Sequence, residues 1–240
     1  MPPRLFVDQP LRAGESFALP AGPARHVQVL RLQPGAALTL FDGAGGEWHA
    51  TVTQMGRSEV SVQLVARTDV DRELPLLVTL ALGMPANERM DAVVEKATEL
   101  GVAAIQPLVC ERSVLRLSGE RAQKRHAHWQ AVALSACEQS GRTRVPQIAE
   151  VASFAQWLKA APLGPARWML SLRGAQPVAA LTMPAGRLLC LSGPEGGLSP
   201  GEEAAAREAG FAPVSLGPRV LRADTAPLAL LAHLGLRANP

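Results

Sequence analysis

Residues 187–202 constrain the fold of this chain more than any other stretch. Residues 187–192 form a short, mainly apolar segment, which is typical of a buried strand. The glycines and proline of residues 193–197 then predict a turn that neither a strand nor a helix continues through. Residues 199–202, Ser-Pro-Gly-Glu, match a capping box with proline at the first helical position, so they predict a helix start. A strand, a glycine-rich loop and a helix in this order leave backbone amides available to hold a ligand.

A second loop of the same kind, residues 216–222, follows one predicted helix later. Each loop combines glycine with proline and comes directly after a predicted strand. Ligands of parallel sheets bind beyond the carboxyl ends of the strands, so the two loops are expected to form one pocket. The alternative is two ordinary strand–helix connections, which need glycine in any case.

The composition of the chain limits the classes of protein to which it can belong. A length of 240 residues is enough for one large domain or two modest ones. The hydrophobic fraction of 48% allows a sizeable core. The net charge of +3 is compatible with nucleic-acid binding but too small to establish it. Three widely spaced cysteines show neither disulfide nor metal spacing, and reduced cysteines suit the cytoplasm. With no signal-peptide pattern and no run of membrane-spanning length, we expect a cytoplasmic protein with no membrane and no metal partner.

Residues 1–72 are predicted to form a small β-rich barrel. Its strands are expected at residues 37–41, 48–53 and 60–64. A short helix is expected over residues 24–32. The charged segment 69–75, which ends in proline, marks the predicted domain boundary. Small barrels often bind RNA, although a fold alone does not establish a function.

Residues 73–240 are predicted to form an α/β domain. Strands and helices alternate in this part, which indicates a mainly parallel sheet covered on both faces. The strands are expected at residues 76–82, 102–109, 167–172, 187–192 and 213–216. The helices are expected from a cap at Asn87 to Gly101 and over residues 119–140, 199–209 and 225–236.

The two loops do not match the common nucleotide-binding patterns. The chain has no GxxxxGK[ST] sequence, and Gly43-Ala-Gly45 lies in a predicted hairpin instead of between a strand and a helix. A dinucleotide-dependent oxidoreductase is therefore disfavoured. The loops contain no lysine for phosphates, so a ligand held by backbone groups and apolar walls fits better, such as adenine with an amino-acid tail.

A basic stretch lies between Glu111 and Arg144, where seven cations face three acids. Runs of charge are usually solvated helix faces, the interpretation we favour for residues 121–125. Arg142 and Arg144 differ, because they follow a break at Gly141 and are predicted to reach a phosphate or a base edge.

Beyond these patterns, the chain resembles the SPOUT class of methyltransferases. Gly193-Pro-Glu-Gly-Gly-Leu198 and Leu216-Gly-Pro-Arg-Val-Leu-Arg222 carry that resemblance. Ala136-Cys-Glu-Gln-Ser-Gly-Arg142 narrows it to the bacterial 16S ribosomal RNA uracil N3-methyltransferases. Further matches in the same order, which extend the resemblance over nearly the whole chain, are Phe41-Asp-Gly43, Glu95-Lys-Ala-Thr-Glu-Leu-Gly101 and Glu111-Arg112.

The resemblance implies a PUA-like β-barrel for RNA binding and a SPOUT α/β domain with a trefoil knot. It implies S-adenosylmethionine as cofactor, a homodimer, and 16S rRNA or the assembled small ribosomal subunit as substrate. The implied cofactor contacts are Leu172, Arg173, Gly193, Glu195, Gly196, Leu216, Pro218 and Leu221. The RNA contacts expected are Arg25, His26, Arg31, Arg112, Arg142 and Arg144, with a plain surface position as the alternative for His26.

The implied reaction, methylation of uridine N3, assigns catalytic candidates. As N3 loses its proton, negative charge spreads onto O2 and O4, and an arginine aimed at those oxygens would stabilise it. Arg222 is the first candidate and Arg219 the second, with a salt bridge to Glu195 as the alternative role of Arg219. Asp224 and solvent are both candidates for taking the proton.

The chain departs from the family pattern directly after Arg222. Ala223 and Asp224 stand where the family commonly has Thr and Glu, and the aspartate is one methylene shorter. Asp224 is also expected to cap the last helix. Two alternatives to the implied activity are a SPOUT methyltransferase that acts on another base or a ribose, and a catalytically inactive RNA-binding homologue.

Overall fold

A computed structural model describes residues 2–57, 59–86, 89–161 and 166–238. The chain divides into two compact units. The first unit comprises Met1–Glu73 together with Cys137–Val145, and the second comprises Leu74–Ala136 and Pro146–Pro240.

A single sheet dominates the described part of the first unit. Its strands are β1 (Arg4–Phe6), β2 (Ser16–Ala18), β3 (Ala37–Phe41), β4 (Glu47–Met55) and β5 (Val60–Thr68). Their order in the sheet is β1-β3-β4-β5-β2. β1 runs parallel to β3, and the other neighbours are antiparallel. Alternate residues of β4 and β5 face a buried core, as their alternating sequence predicts: Trp48, Ala50, Val52, Val60, Val62 and Leu64.

Helix α1 (Ala21–Val29) covers part of this core through Ala24 and Val27. The predicted limits of 24–32 were wrong at both ends. The chain instead enters the helix after Pro20 and leaves it through Arg31, which has a left-handed φ of 54°. β1 and β2 were missed, because three residues are too few to show a period.

From residue 74 onward strands and helices alternate, as predicted. The strands are β6 (Leu77–Gly83), β7 (Ala104–Val109), β8 (Gln147–Ile148), β9 (Ala152–Ser153), β10 (Ala166–Leu170), β11 (Gln176–Pro177), β12 (Arg187–Ser192) and β13 (Ala212–Ser215). The helices are α2 (Arg89–Glu99), α3 (Gly119–Ser140), α4 (Phe154–Ala160), α5 (Pro200–Glu208) and α6 (Thr225–Ala238), with a 3-10 turn at Val178–Ala180. The predicted cap Asn87 lies outside the described residues.

These strands form a parallel sheet with the order β11-β13-β10-β12-β6-β7-β8, and β9 pairs with β7. Every strand pair in the described ranges of this sheet is parallel, which confirms the predicted α/β architecture. β12 lies between β10 and β6, and its side chains alternate between two cores. Leu188 and Cys190 pack with helices α2, α3 and α6, whereas Leu189 and Leu191 pack with α4 and α5. A strand buried on both faces explains the uninterrupted apolar sequence of residues 188–191.

Helix α5 begins at the capping box that the sequence predicts. The Ser199 hydroxyl accepts from the Glu202 N–H at 3.3 Å, and the Glu202 carboxylate accepts from the Ser199 N–H at 2.9 Å. Pro200 is the first helical residue. Among the described residues, none of the helices combines the length and the apolar character needed to cross a membrane.

Candidate functional site

A cavity of about 520 Å³ in the second unit lies where the two glycine–proline loops meet. Its walls come from the carboxyl ends of the neighbouring strands β10, β12 and β13 and from the loops that follow them. The structure therefore brings the two loops together, as their positions after parallel strands predict. Its volume is that of a small-molecule site.

The first of these loops, residues 193–198, contacts residues of several neighbouring elements. The Glu195 carboxylate accepts from the Ala86 N–H at 2.8 Å and lies 3.8 Å from the Arg89 guanidinium. Within the described ranges, Glu195 contacts Ala86 and Arg89. The salt bridge with Arg219, which was the alternative to a catalytic role for that arginine, is not observed among the described residues. At the end of β6, a Cβ on Gly83 would lie 2.4 Å from Pro194 Cδ, so only glycine allows this close approach.

Arg112 contacts the same loop from the turn after β7. Its Nη1 donates to the Gly196 carbonyl at 3.0 Å and to the Leu198 carbonyl at 3.3 Å. Arg112 was expected to contact RNA, but it belongs to the cavity lining and its guanidinium donates to the cavity loop.

The second loop turns at Gly217, whose φ of 109° favours glycine. Arg219 and Arg222 both line the cavity and are exposed to solvent. Neither has a recorded ion pair with the described residues, so their charges are available to a ligand.

Seven of the eight expected cofactor contacts line the cavity: Leu172, Arg173, Gly193, Glu195, Gly196, Leu216 and Leu221. Pro218 and Asp224 do not belong to the lining. The Asp224 carboxylate instead accepts from the Thr225 hydroxyl at 3.3 Å, at the start of α6. Several further lining residues were not predicted as site residues, among them Arg89, Ser192, Glu203 and Val220. Ser192 and Val220 adjoin or lie within the predicted loops, whereas no local pattern marks Arg89 or Glu203.

In the first unit, Arg142 is buried, with 4% of its surface exposed. Its Nε lies 3.1 Å from both carboxylate oxygens of Glu73, and Nη2 contacts the same carboxylate. The prediction that Arg142 reaches a phosphate is wrong for this structure, because its donors point into the interior.

Other side chains hold the turn at Gly141 from the same unit. Arg72 Nη1 donates to the Gly141 carbonyl at 2.8 Å, and Arg4 Nη2 donates to it at 3.1 Å. Arg4 and Arg72 both also pair with the Glu47 carboxylate. The Glu138 carboxylate accepts from the Phe6 N–H at 3.0 Å. Glu138, Gly141 and Arg142 of the motif thus have structural roles within the first unit.

Four of the expected RNA contacts remain on the surface of the first unit. Arg25 and His26 are exposed on α1, and Arg31 is exposed directly after it. Arg144 is exposed beside the hairpin turn, where a Cβ on Gly45 would lie 2.9 Å from its guanidinium.

The cysteines are buried, and burial raises the pKa of Cys110 to about 12 and of Cys137 to about 11. Both thiols therefore stay protonated at neutral pH, which fits packing and not nucleophilic chemistry. Within the described residues there is no group of three side chains that could hold a metal ion.

Comparisons with known proteins match the two parts of the chain separately. Residues 72–235 match a family described as an RNA methyltransferase domain, and residues 24–65 match an RNA methyltransferase PUA domain. The chain belongs to this RNA methyltransferase family. The expected fold class, a SPOUT-type α/β domain preceded by a PUA-like barrel, is confirmed.

Members of the family from several bacteria align over most of the chain. The ribosomal RNA small subunit methyltransferase E of Bacillus subtilis is 32% identical, covering 98% of this chain and 97% of the relative. The protein of that name from Synechocystis is 35% identical over 86% of this chain and 68% of the relative.

Among solved structures, a ribosomal RNA small subunit methyltransferase E from Neisseria gonorrhoeae, bound to S-adenosylmethionine, is 37% identical. It has a TM-score of 0.93 and covers 99% of this chain and 98% of its own. A Legionella pneumophila protein in complex with the same cofactor is 31% identical with a TM-score of 0.94, covering 99% of this chain and 98% of its own.

Proposed function

We propose that this chain is an S-adenosylmethionine-dependent methyltransferase that modifies N3 of a specific uridine in 16S ribosomal RNA. The observation that carries the proposal is the cavity at the ends of β10, β12 and β13, in a chain that matches a cofactor-bound family member over 99% of its length. The RNA of the small ribosomal subunit is the substrate that the names of the aligned relatives indicate.

The residues around the cavity suit this cofactor. S-adenosylmethionine carries a carboxylate, an ammonium and an adenine, and the lining offers arginines, glutamates, backbone groups and leucines. Gly193 allows a tight turn, because a Cβ there would lie 2.7 Å from the Leu198 nitrogen. We assign the holding of the cofactor to the seven predicted contacts that line the cavity, namely Leu172, Arg173, Gly193, Glu195, Gly196, Leu216 and Leu221. Glu195 also holds its loop through the Ala86 N–H.

The bound cofactor supplies a methyl group activated by its sulfonium charge. The protein's contribution is to position the acceptor base and to stabilise the charge that develops on it. Arg222 and Arg219, exposed and without recorded ion pairs in the described residues, are suited to bind O2 or O4 of the uracil as N3 loses its proton. Uridine N3 lies on the pairing edge, so the base must be unpaired when it reaches this site.

We propose that solvent, and not Asp224, accepts the proton that N3 loses. The Asp224 side chain lies outside the cavity lining and contacts the Thr225 hydroxyl. Asp224 lies directly before α6, and aspartate is a favoured residue at a helix start. This position therefore tolerates aspartate where the family commonly has glutamate.

Binding of RNA is assigned to the barrel and to four exposed side chains of the first unit, Arg25, His26, Arg31 and Arg144. The assembled small subunit is the proposed substrate form, since a net charge of +3 gives little bulk attraction to naked RNA. A homodimer is proposed from the resemblance to the SPOUT class.

The test is methyl transfer from labelled S-adenosylmethionine to small ribosomal subunits that lack the modification, followed by nucleoside analysis. N3-methyluridine as the product supports the proposal. Label in another base or in ribose would assign a different SPOUT specificity. Binding of RNA with no cofactor binding would indicate an inactive homologue.

A further inference from the structure

The loop of residues 193–198 is held by Arg112, which lies in the turn after β7. Two carbonyls of the loop, those of Gly196 and Leu198, accept from the same guanidinium nitrogen. The arginine stem also lies against the loop, since a Cβ on Gly196 would be 3.1 Å from Arg112 Cβ and 3.4 Å from Cδ. Any side chain at position 196 would displace the arginine or the loop.

These bonds fix the orientation of a complete peptide group. The peptide bond is planar, so the bond from Arg112 to the Gly196 carbonyl also sets the direction of the Gly197 N–H. That N–H donates to the Pro194 carbonyl at 2.8 Å. The peptide between Gly196 and Gly197 is therefore held at both of its ends, beside a cavity wall that Gly193 and Gly196 form.

Glu202 adds a second link between β7 and this region. Its carboxylate accepts from the Glu111 N–H at 2.8 Å and from the Ser199 N–H at 2.9 Å. One side chain thus joins the residue before Arg112 to the residue that caps α5. Glu202 does not belong to the cavity lining, so any effect on a ligand must pass through the loop.

We propose that Arg112 is a positioning residue for the cofactor loop, and not an RNA contact. Its guanidinium holds the Gly196 and Leu198 carbonyls so that the loop is ordered before the cofactor arrives. A loop ordered in advance loses less conformational entropy on binding, which raises affinity. The inference rests on the proposed function, because it assigns the cavity to S-adenosylmethionine.

The test compares full-length Arg112→Ala, Arg112→Lys and Glu202→Gln with the wild-type chain. Arg121→Ala is the matched control, since it removes one exposed charge from the same basic stretch without contacting the loop. The dissociation constant for S-adenosylmethionine is measured by calorimetry, at a temperature where circular dichroism shows each variant folded. KM for small ribosomal subunits and kcat are measured at saturating cofactor.

Arg112→Ala is expected to raise the dissociation constant for S-adenosylmethionine about tenfold, the usual effect of losing hydrogen bonds from a charged donor. KM for the subunits and kcat at saturating cofactor should stay at wild-type values. Arg112→Lys should recover part of the affinity, because an ammonium still donates but lacks the planar fork. Glu202→Gln should weaken cofactor binding in the same direction, because one amide oxygen cannot accept both N–H groups.

A raised KM for the subunits with unchanged cofactor affinity in Arg112→Ala would overturn the inference and restore the RNA contact. Equal cofactor affinities of Arg112→Ala and Arg121→Ala would also overturn it. A wild-type chain that binds no S-adenosylmethionine would overturn both this inference and the proposed function. If the wild-type chain binds the cofactor and Arg112→Ala binds it equally well, only this inference fails.

Discussion

Arg142 and Glu73 form an interior ion pair, in which the Arg142 Nε lies 3.1 Å from each oxygen of the Glu73 carboxylate. Removing one member of such a pair leaves the other charge without compensation in a poorly solvated place. Arg142 is the last residue of the motif 136–142, so this motif contributes to stability as well as to any function.

Arg142→Ala is therefore expected to lower the free energy of unfolding by about 3 kcal/mol. Chemical denaturation followed by circular dichroism measures the change. Arg144→Ala, two residues away and exposed, should change stability by less than about 0.5 kcal/mol. Similar losses in both variants would contradict the structural role of Arg142.

Arg222→Ala should lower kcat by about 10²–10³-fold, the usual effect of removing one donor from a developing oxyanion. Cofactor affinity should stay close to the wild-type value, because the other loop residues remain. Single-turnover transfer with saturating S-adenosylmethionine measures the rate, and calorimetry measures the affinity. A loss of cofactor binding large enough to explain the lost rate would assign Arg222 to the cofactor instead of the base.

Gly83→Ala should destabilise the second unit by about 1–3 kcal/mol, because the added methyl would meet the Pro194 ring and backbone. Thermal unfolding with and without S-adenosylmethionine measures both the loss and the remaining stabilisation by the cofactor. Gly201→Ala is the control, since its nearest neighbour would be the Ser199 hydroxyl at 3.8 Å and alanine favours a helix. Equal stability of the two variants would show that the contact with Pro194 relaxes freely.

The pH dependence of stability should differ between wild type and Glu138→Gln. Burial raises the pKa of Glu138, although the bond from the Phe6 N–H opposes the shift. The folded state then binds a proton more tightly than the unfolded state, so the contribution of Glu138 to stability is present at acid pH and is lost as pH rises above the usual glutamate range. Glutamine retains an acceptor for Phe6 and does not titrate.

Denaturation curves of the two proteins between acid and neutral pH measure this difference. The stability of Glu138→Gln relative to wild type should increase as pH rises. A difference that stays constant, or that changes in the opposite direction, would show that Glu138 is ionised at no cost in the folded chain. Glu47 acts in the opposite sense. Burial alone would raise its pKa, but the hydrogen bonds and charges of Arg4 and Arg72 together lower it.

The second unit was the more predictable from sequence. Met90, Val93, Val94 and Ala97 recur at helical spacing and are fully buried on α2, and the limits of α3 and β12 agree with the predicted ones. Strong periodicity and glycine-marked ends fix such elements locally. The positions of the two loops after parallel strands were enough to predict that they share a cavity.

The partners of individual charges were not predictable, because they depend on residues far apart in the chain. Arg142 pairs with Glu73 and Arg112 contacts Gly196, at sequence separations of 69 and 84 residues. An arginine that follows a helix break looks the same in sequence whether it faces solvent or a buried carboxylate. For that reason the RNA contacts were the least reliable part of the predicted site.

The position of β12 between β10 and β6 has a consequence for how the chain acquires its structure. β6 (Leu77–Gly83) pairs with β12 (Arg187–Ser192), so the middle of the sheet joins segments separated by about a hundred residues. Contacts of such long range require closure of a large loop before they contribute stability, which slows folding. During synthesis, β6 cannot pair with β12 until β12 has left the ribosome. The first cavity loop follows β12 at once, but β13 (Ala212–Ser215) and the second cavity loop come later still. The nascent chain therefore completes this sheet and its candidate binding site only after residues 212–222 have left the ribosome.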